Sequence, residues 1–170
     1  MIKIKNIFFF LAILIGFTFC KNEEKPNRII LNGHIFGTTY KIVYTHSSIN
    51  YKKSIDSLFY LVNKSLSTYM PTSDISKINA GDSTIVVDDL FLEVFKKSKK
   101  IYTETNGFFD PTVGNLVNAY GFGPKNEKTN LTEDEVKKQM QYVGLNKVTL
   151  IDGKIVKEKA KIYLDFNSIA

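Results

Sequence analysis

Four short stretches of this chain set small residues beside a hydroxyl, an aromatic ring or an acid. They are Phe36-Gly37-Thr38-Thr39-Tyr40, then Ser67-Thr68-Tyr69-Met70-Pro71 with Ser73-Asp74-Ile75-Ser76, then Gly107-Phe108-Phe109-Asp110-Pro111-Thr112-Val113-Gly114, and last Asp165-Phe166-Asn167-Ser168-Ile169-Ala170. Glycine lets backbone N–H groups come close to a ligand. An aromatic beside it can stack on a flat ring, and a carboxylate held by its neighbours can accept from a ring amino group or a ribose hydroxyl. Together these features suit a nucleotide-like ligand. Each stretch also reads as plain turn chemistry, and Asp110 is equally well placed to cap a helix beginning near Thr112.

The elements that must position these residues follow from periodicity. Tyr40, Ile42 and Tyr44 alternate with Thr39, Lys41 and Val43, so strands are expected over about 29–36 and 38–46. Residues 50–70 read as a helix with Ile55, Leu58, Phe59, Val62 and Leu66 on one face, and Pro71 follows its end. A polar turn then leads into a short helical piece. Residues 85–87 suggest a short strand, and Asp88 is placed to cap a helix running to about Thr103. Thr132 and Glu135 have capping-box spacing for a helix to about Val143, with Gly144 at its C′ position. The tail reads as strand, Asp152-Gly153 turn, strand, and a further strand over 161–165. Helices mixed with hairpins argue an α+β fold.

The totals fit one domain with a real core: 170 residues, 44% hydrophobic and 24% charged. The net charge of +6 is nearly all scattered lysine, with Arg28 the only arginine. Nucleic-acid readers lean on arginine, so no nucleic-acid partner is expected. Lys96, Lys97, Lys99 and Lys100 read as the solvated face of a helix. His34 and His46 lack acid partners at metal spacing and read as surface or strand residues.

Residues 1–20 have the character of an export signal: Lys3 and Lys5, an apolar run over 7–19, then Cys20 before an abruptly polar "KNEEKPN". The run is short for a membrane span. The pattern resembles a bacterial lipoprotein signal in which Cys20 becomes the lipidated N-terminus, with Phe19 departing from the small residue usual there. An uncleaved anchor or an ordinary signal peptide are the alternatives. Residues 21–28 read as a tether and 29–170 as the domain. Cys20 is the only cysteine, so no internal disulfide is possible.

"GTTYKIVY", "LSTYMPTSDISKIN", "GFFDPTVGNLVNAYGFGP" and "YLDFNSIA" occur in this order. They resemble the successive motifs of the ApbE family, the FAD:protein FMN transferases, from about residue 32 onward. The resemblance implies a T-fold-like α+β domain that takes FAD as substrate with Mg2+, moves FMN to a threonine or serine hydroxyl of an acceptor protein, and releases AMP. The acceptor implied is a membrane redox subunit, and the setting an exported lipoprotein on the periplasmic face of the inner membrane. Phe36 stands where the family usually has a methionine beside the flavin. Tyr69, Phe108, Phe109, Asp110 and Asp165 match FAD-contacting positions, Asp110 on the adenine side, and Ser168 matches a magnesium ligand. The family motif continues beyond Ala170, so the chain is expected to be a fragment. FAD pyrophosphatase activity, or flavin binding without chemistry, are the rival readings.

Overall fold

The computed structural model describes residues 27–124 and 130–167. These fall into two compact units. The smaller, residues 27–33 and 40–50, is the body of a hairpin formed by β1 (Arg28–Ile35) and β2 (Thr38–Thr45). Alternate residues of β2 are shielded, as its period-two pattern requires. Gly33 allows a close crossing, because a Cβ there would sit 2.6 Å from the Tyr40 ring. Tyr44 Oη donates to the Ile49 carbonyl at 2.9 Å and folds the end of the strand back on itself.

The larger unit, residues 34–39, 51–124 and 130–167, holds the other elements. They are α1 (Lys52–Leu66), α2 (Asp74–Ala80), α3 (Asp89–Glu104), α4 (Gly114–Ala119), α5 (Glu133–Met140), β3 (Val148–Ile151) and β4 (Lys154–Lys157). α1 packs on α2 and α3, and α4 on α5. β3 and β4 pair antiparallel, Val148 opposite Lys157 and Ile151 opposite Lys154. Their two-residue link puts Asp152 and Gly153 at φ 48° and 72°, the left-handed pair a tight hairpin needs. The core gathers Ile75 and Ile78 from α2, Phe91 and Phe95 from α3, Leu145, Val148 and Ile155, and then Ile162, Leu164 and Phe166 from the C-terminal segment. Helices mixed with antiparallel strands make the fold α+β, as the pattern predicts.

The N-caps are local, and those at Asp88 and Thr132 match expectation. Asp88 accepts from Phe91 N at the start of α3, and Ser65 Oγ of α1 donates to the same oxygen at 2.8 Å. Thr132 and Glu135 form a complete capping box on α5. Ser73 accepts from Ser76 N to start α2.

Other expectations need correction. α1 ends at Leu66, not Met70, because Ser67 turns extended, and Leu58 lies on the solvent side of the helix, 60% exposed. Residues 85–87 form no strand; Val87 N donates to Gly153 O and makes one bond to the β3–β4 turn instead of a ladder. α5 stops at Met140, so Gly144 is no C′ cap. At φ 134° it introduces a single 3-10 turn over Leu145–Lys147. Residues 161–165 make only an isolated parallel bridge, Val113 with Tyr163, since side chains and loops take their backbone groups. Lys99 is not solvated like its neighbours. Its Nζ donates to Leu145 O at 2.7 Å, and partial burial pulls its ammonium below the usual lysine range, partly offset by Asp110.

Candidate functional site

The turn after α1 is tied down by hydroxyls. Ser67 O accepts from Ser73 Oγ at 2.6 Å and Ser76 Oγ at 3.2 Å. Thr68 is thereby buried and Tyr69 is turned outward, 61% exposed. The Tyr69 hydroxyl reaches the Phe122 carbonyl at 3.4 Å.

The Asp110 loop begins where α3 ends. Thr105 Oγ1 donates to Ile101 O and accepts from Phe109 N, while Asn106 and Gly107 reverse the chain at φ 52° and 81°. The reversal throws Phe108 out to 96% exposure and leaves Phe109 half-buried. Asp110 Oδ1 accepts from Thr112 N at 2.8 Å and Thr112 Oγ1 at 2.6 Å; Oδ2 accepts from Leu145 N at 3.2 Å. Thr112 Oγ1 in turn accepts from Gly144 N at 2.7 Å. Asp110 therefore closes an Asx-turn and pins the loop to residues 144–145. It does not cap α4, whose N-cap is Val113, without a side-chain cap bond.

That loop carries the C-terminal segment alongside it. Asp165 N donates to Pro111 O at 2.7 Å, Asn115 Nδ2 donates to Lys161 O at 2.7 Å, and Val113 bridges Tyr163. Gly114 makes the approach possible, since a Cβ there would lie 2.4 Å from Tyr163 Cδ1. Asp165 is 9% exposed and the only charged side chain in the buried class among the described residues. Burial pushes its carboxyl above the usual range, opposed by the Asn167 N–H it accepts at 2.9 Å. Burial also raises the Tyr163 phenol. Hydrogen bonds with Asn118 and Asn79 oppose that shift, and the nearby Asp165 and Tyr69 add to it. Asn167 Nδ2 reaches Thr68 Oγ1 at 3.3 Å, closing the path back to the Tyr69 turn.

Of the residues singled out in the sequence, Asp165 is linked to the Tyr69 turn through the Asn167–Thr68 bond. Asp110 is bonded to Thr112 in its own loop and to Leu145 N. Phe36 sits at φ 53° in the hairpin link with its ring edge-on to Phe59, 5.7 Å between centroids. Ser168 and Cys20 lie outside the described residues. Sequence reasoning gave no role to Tyr163, Asn79, Asn118 or Asn167, although Asn167 stands in the last of the quoted stretches. Their partners are up to 99 residues away, and no local spacing marks them. No group of three or more His, Cys, Asp or Glu that could hold a metal occurs among the described residues. A separate groove between the end of α2 and the β3–β4 hairpin contains Lys157, whose Nζ already donates to Ile78 O and Ile162 O.

Fold and geometry define an α+β domain in which one near-buried carboxylate, Asp165, is held against the glycine-containing Asp110 loop. The chain belongs to the ApbE family, whose model matches residues 36–170. It is 30% identical over 94% of its length to the FAD:protein FMN transferase of Haemophilus influenzae, and 32% identical over 86% to that of Vibrio cholerae. The solved structure of the flavin transferase ApbE from Vibrio cholerae superimposes with a TM-score of 0.75 at 30% identity, covering 84% of this chain and 48% of that one. The Pseudomonas stutzeri flavinyl transferase ApbE, at 24% identity and a TM-score of 0.77, shares the fold. The chain spans about half the length of these relatives, 49% and 47% of the two transferases.

Proposed function

We propose that the protein carrying this chain transfers FMN from FAD to a threonine or serine hydroxyl of a partner protein, with Mg2+, releasing AMP. The observation that carries the reading is the near-buried Asp165 carboxylate set beside Tyr163 and the exposed Tyr69 turn, in a chain whose curated relatives are FAD:protein FMN transferases. Tyr69 offers a face for a flat ring. Asp165 offers an acceptor to a ligand N–H or O–H, and satisfying it lowers the cost of burying that charge. Phe108 and Phe109 wall the site. Asp110 shapes the loop and keeps a lone pair on Oδ2 for the adenine side of the ligand. Phe36 contributes an apolar surface at the hairpin link.

In the transfer, the acceptor oxygen bonds to the FMN phosphorus and loses its proton. The bond from that phosphorus to the bridging oxygen breaks, and AMP leaves with the electron pair. The cation's chemistry is charge neutralisation on the pyrophosphate. Among the described residues no three His, Cys, Asp or Glu cluster to hold a metal, and Ser168 would be one of the cation's ligands. The same reading places the protein outside the cytoplasm, lipid-anchored through Cys20, with a membrane redox subunit as acceptor.

The test is full-length protein incubated with FAD, acceptor protein and Mg2+. AMP release with a matching FMN mass gain on the acceptor, abolished by EDTA, is the expected result. Free FMN with AMP would make it a pyrophosphatase, and FAD retention without AMP a binding protein. Cys20→Ala should release the protein from the membrane fraction, and retention there would overturn the anchor.

A further inference from the structure

The segment carrying Tyr163 and Asp165 runs extended but has no ladder neighbour among the described residues. On one side its odd-numbered backbone groups meet the Asp110 loop: Lys161 O takes Asn115, Tyr163 bridges Val113, and Asp165 N reaches Pro111 O. On the other side, Leu164 presents both its N–H and its C=O to one side chain. Asn79 Oδ1 accepts from Leu164 N at 2.8 Å, and Asn79 Nδ2 donates to Leu164 O at 2.8 Å. That is the bond pair an adjacent strand residue would supply. Ile162, Leu164 and Phe166 point into the core at 0%, 0% and 4% exposure. By the alternation of an extended chain, Tyr163 and Asp165 are held on the opposite face.

We infer that Asn79 is a positioning residue for the flavin site: its amide replaces the missing strand on Leu164 and so fixes where Tyr163 and Asp165 stand. The inference rests on the reading of Asp165 as a ligand contact. Asn79 lies on α2, whose N-cap Ser73 also holds the Tyr69 turn, so one helix sets both the ring and the acid. A backbone slip of one residue here would exchange the ligand-facing side chains for core ones.

Full-length protein with Asn79→Ala, and the near-isosteric Asn79→Asp, would be titrated with FAD by flavin fluorescence. Val148→Ala, a fully buried core change in β3, serves as a control matched for loss of Tm. Expected is about a tenfold rise in FAD Kd for both Asn79 variants, against less than about twofold for the control. If either Asn79 variant folds and binds FAD as the wild type does, or if Val148→Ala weakens FAD equally, the positioning role is overturned. Should Asn79→Ala fail to fold, Asn79→Asp decides, since it keeps the acceptor for Leu164 N while replacing the donor to Leu164 O with a carboxylate oxygen that repels it. Wild-type protein that binds no FAD would sink the functional reading, and amide exchange in the ligand-free protein then settles the positioning role. Faster exchange spreading from Leu164 to Asp165 and Asn167 in the variants supports it, and unchanged exchange there overturns it.

Discussion

Asp110 and Asp165 are both acids in glycine- or asparagine-containing motifs, yet their surroundings differ in kind. Asp110 accepts three hydrogen bonds from Thr112 and Leu145 and has Lys99 nearby. Asp165 accepts one backbone bond and is more buried. Removing the hydroxyl that serves Asp110 should therefore be costly. Thr112→Val leaves Gly144 N without its acceptor and strips one donor from Asp110, a loss of about 2 kcal/mol in urea unfolding, while Thr112→Ser should stay near wild type. For Asp165 the sign follows from its raised pKa. Between the ordinary value of 3.8 and the raised folded value, the folded state holds more protons than the unfolded. Stability conferred by this group is fullest at the acid end and falls as pH rises through the folded pKa. Asp165→Asn should remove that slope from Tm measured against pH; an unchanged slope would mean the carboxyl is solvated.

At the scale of elements, the caps and turns were legible because their chemistry is local. Asp88 and Thr132 each accept from an amide three residues on, so a four-residue pattern contains the whole interaction. Thr132→Ala should cost about 1 kcal/mol, read as a lower denaturant midpoint without a change in m. The segment 161–165 was misread as a strand because its alternation is real while its neighbours are not strands. The Asp110 loop and Asn79 take the bonds a ladder would supply. Gly114 shows the same limit. Its glycine is required by the Tyr163 ring, 49 positions on, and not by any turn of its own. Gly114→Ala is expected to cost about 1–3 kcal/mol by chemical denaturation and to weaken FAD binding as Tyr163 moves.

Across the whole molecule, the site rests directly on the core. Phe91 of α3 is fully buried and meets Phe166 edge-on at 5.4 Å, one residue from Asp165. Phe91→Ala should destabilise the protein by about 3–5 kcal/mol in chemical unfolding and loosen the segment that carries the acid. A cost below about 1 kcal/mol would show that this ring is not part of the cooperative core.

What the sequence determined by itself was whatever a few neighbouring residues can decide. That covers the α+β class, the amphipathic helices with their caps, the Asp152-Gly153 hairpin, and motifs specific enough to place the chain in its family. Only the tertiary structure decided that Asp110 turns one oxygen into its own loop and the other to Leu145 N, that Asp165 is left nearly buried with a single backbone donor, and that Lys99 leaves the solvated face. It also decided that Asn79, Tyr163 and Asn118 stand together. The physical reason is range. A cap or turn is completed within a few residues, whereas burial and a hydrogen bond across 85 residues depend on how the chain closes, which no local pattern encodes.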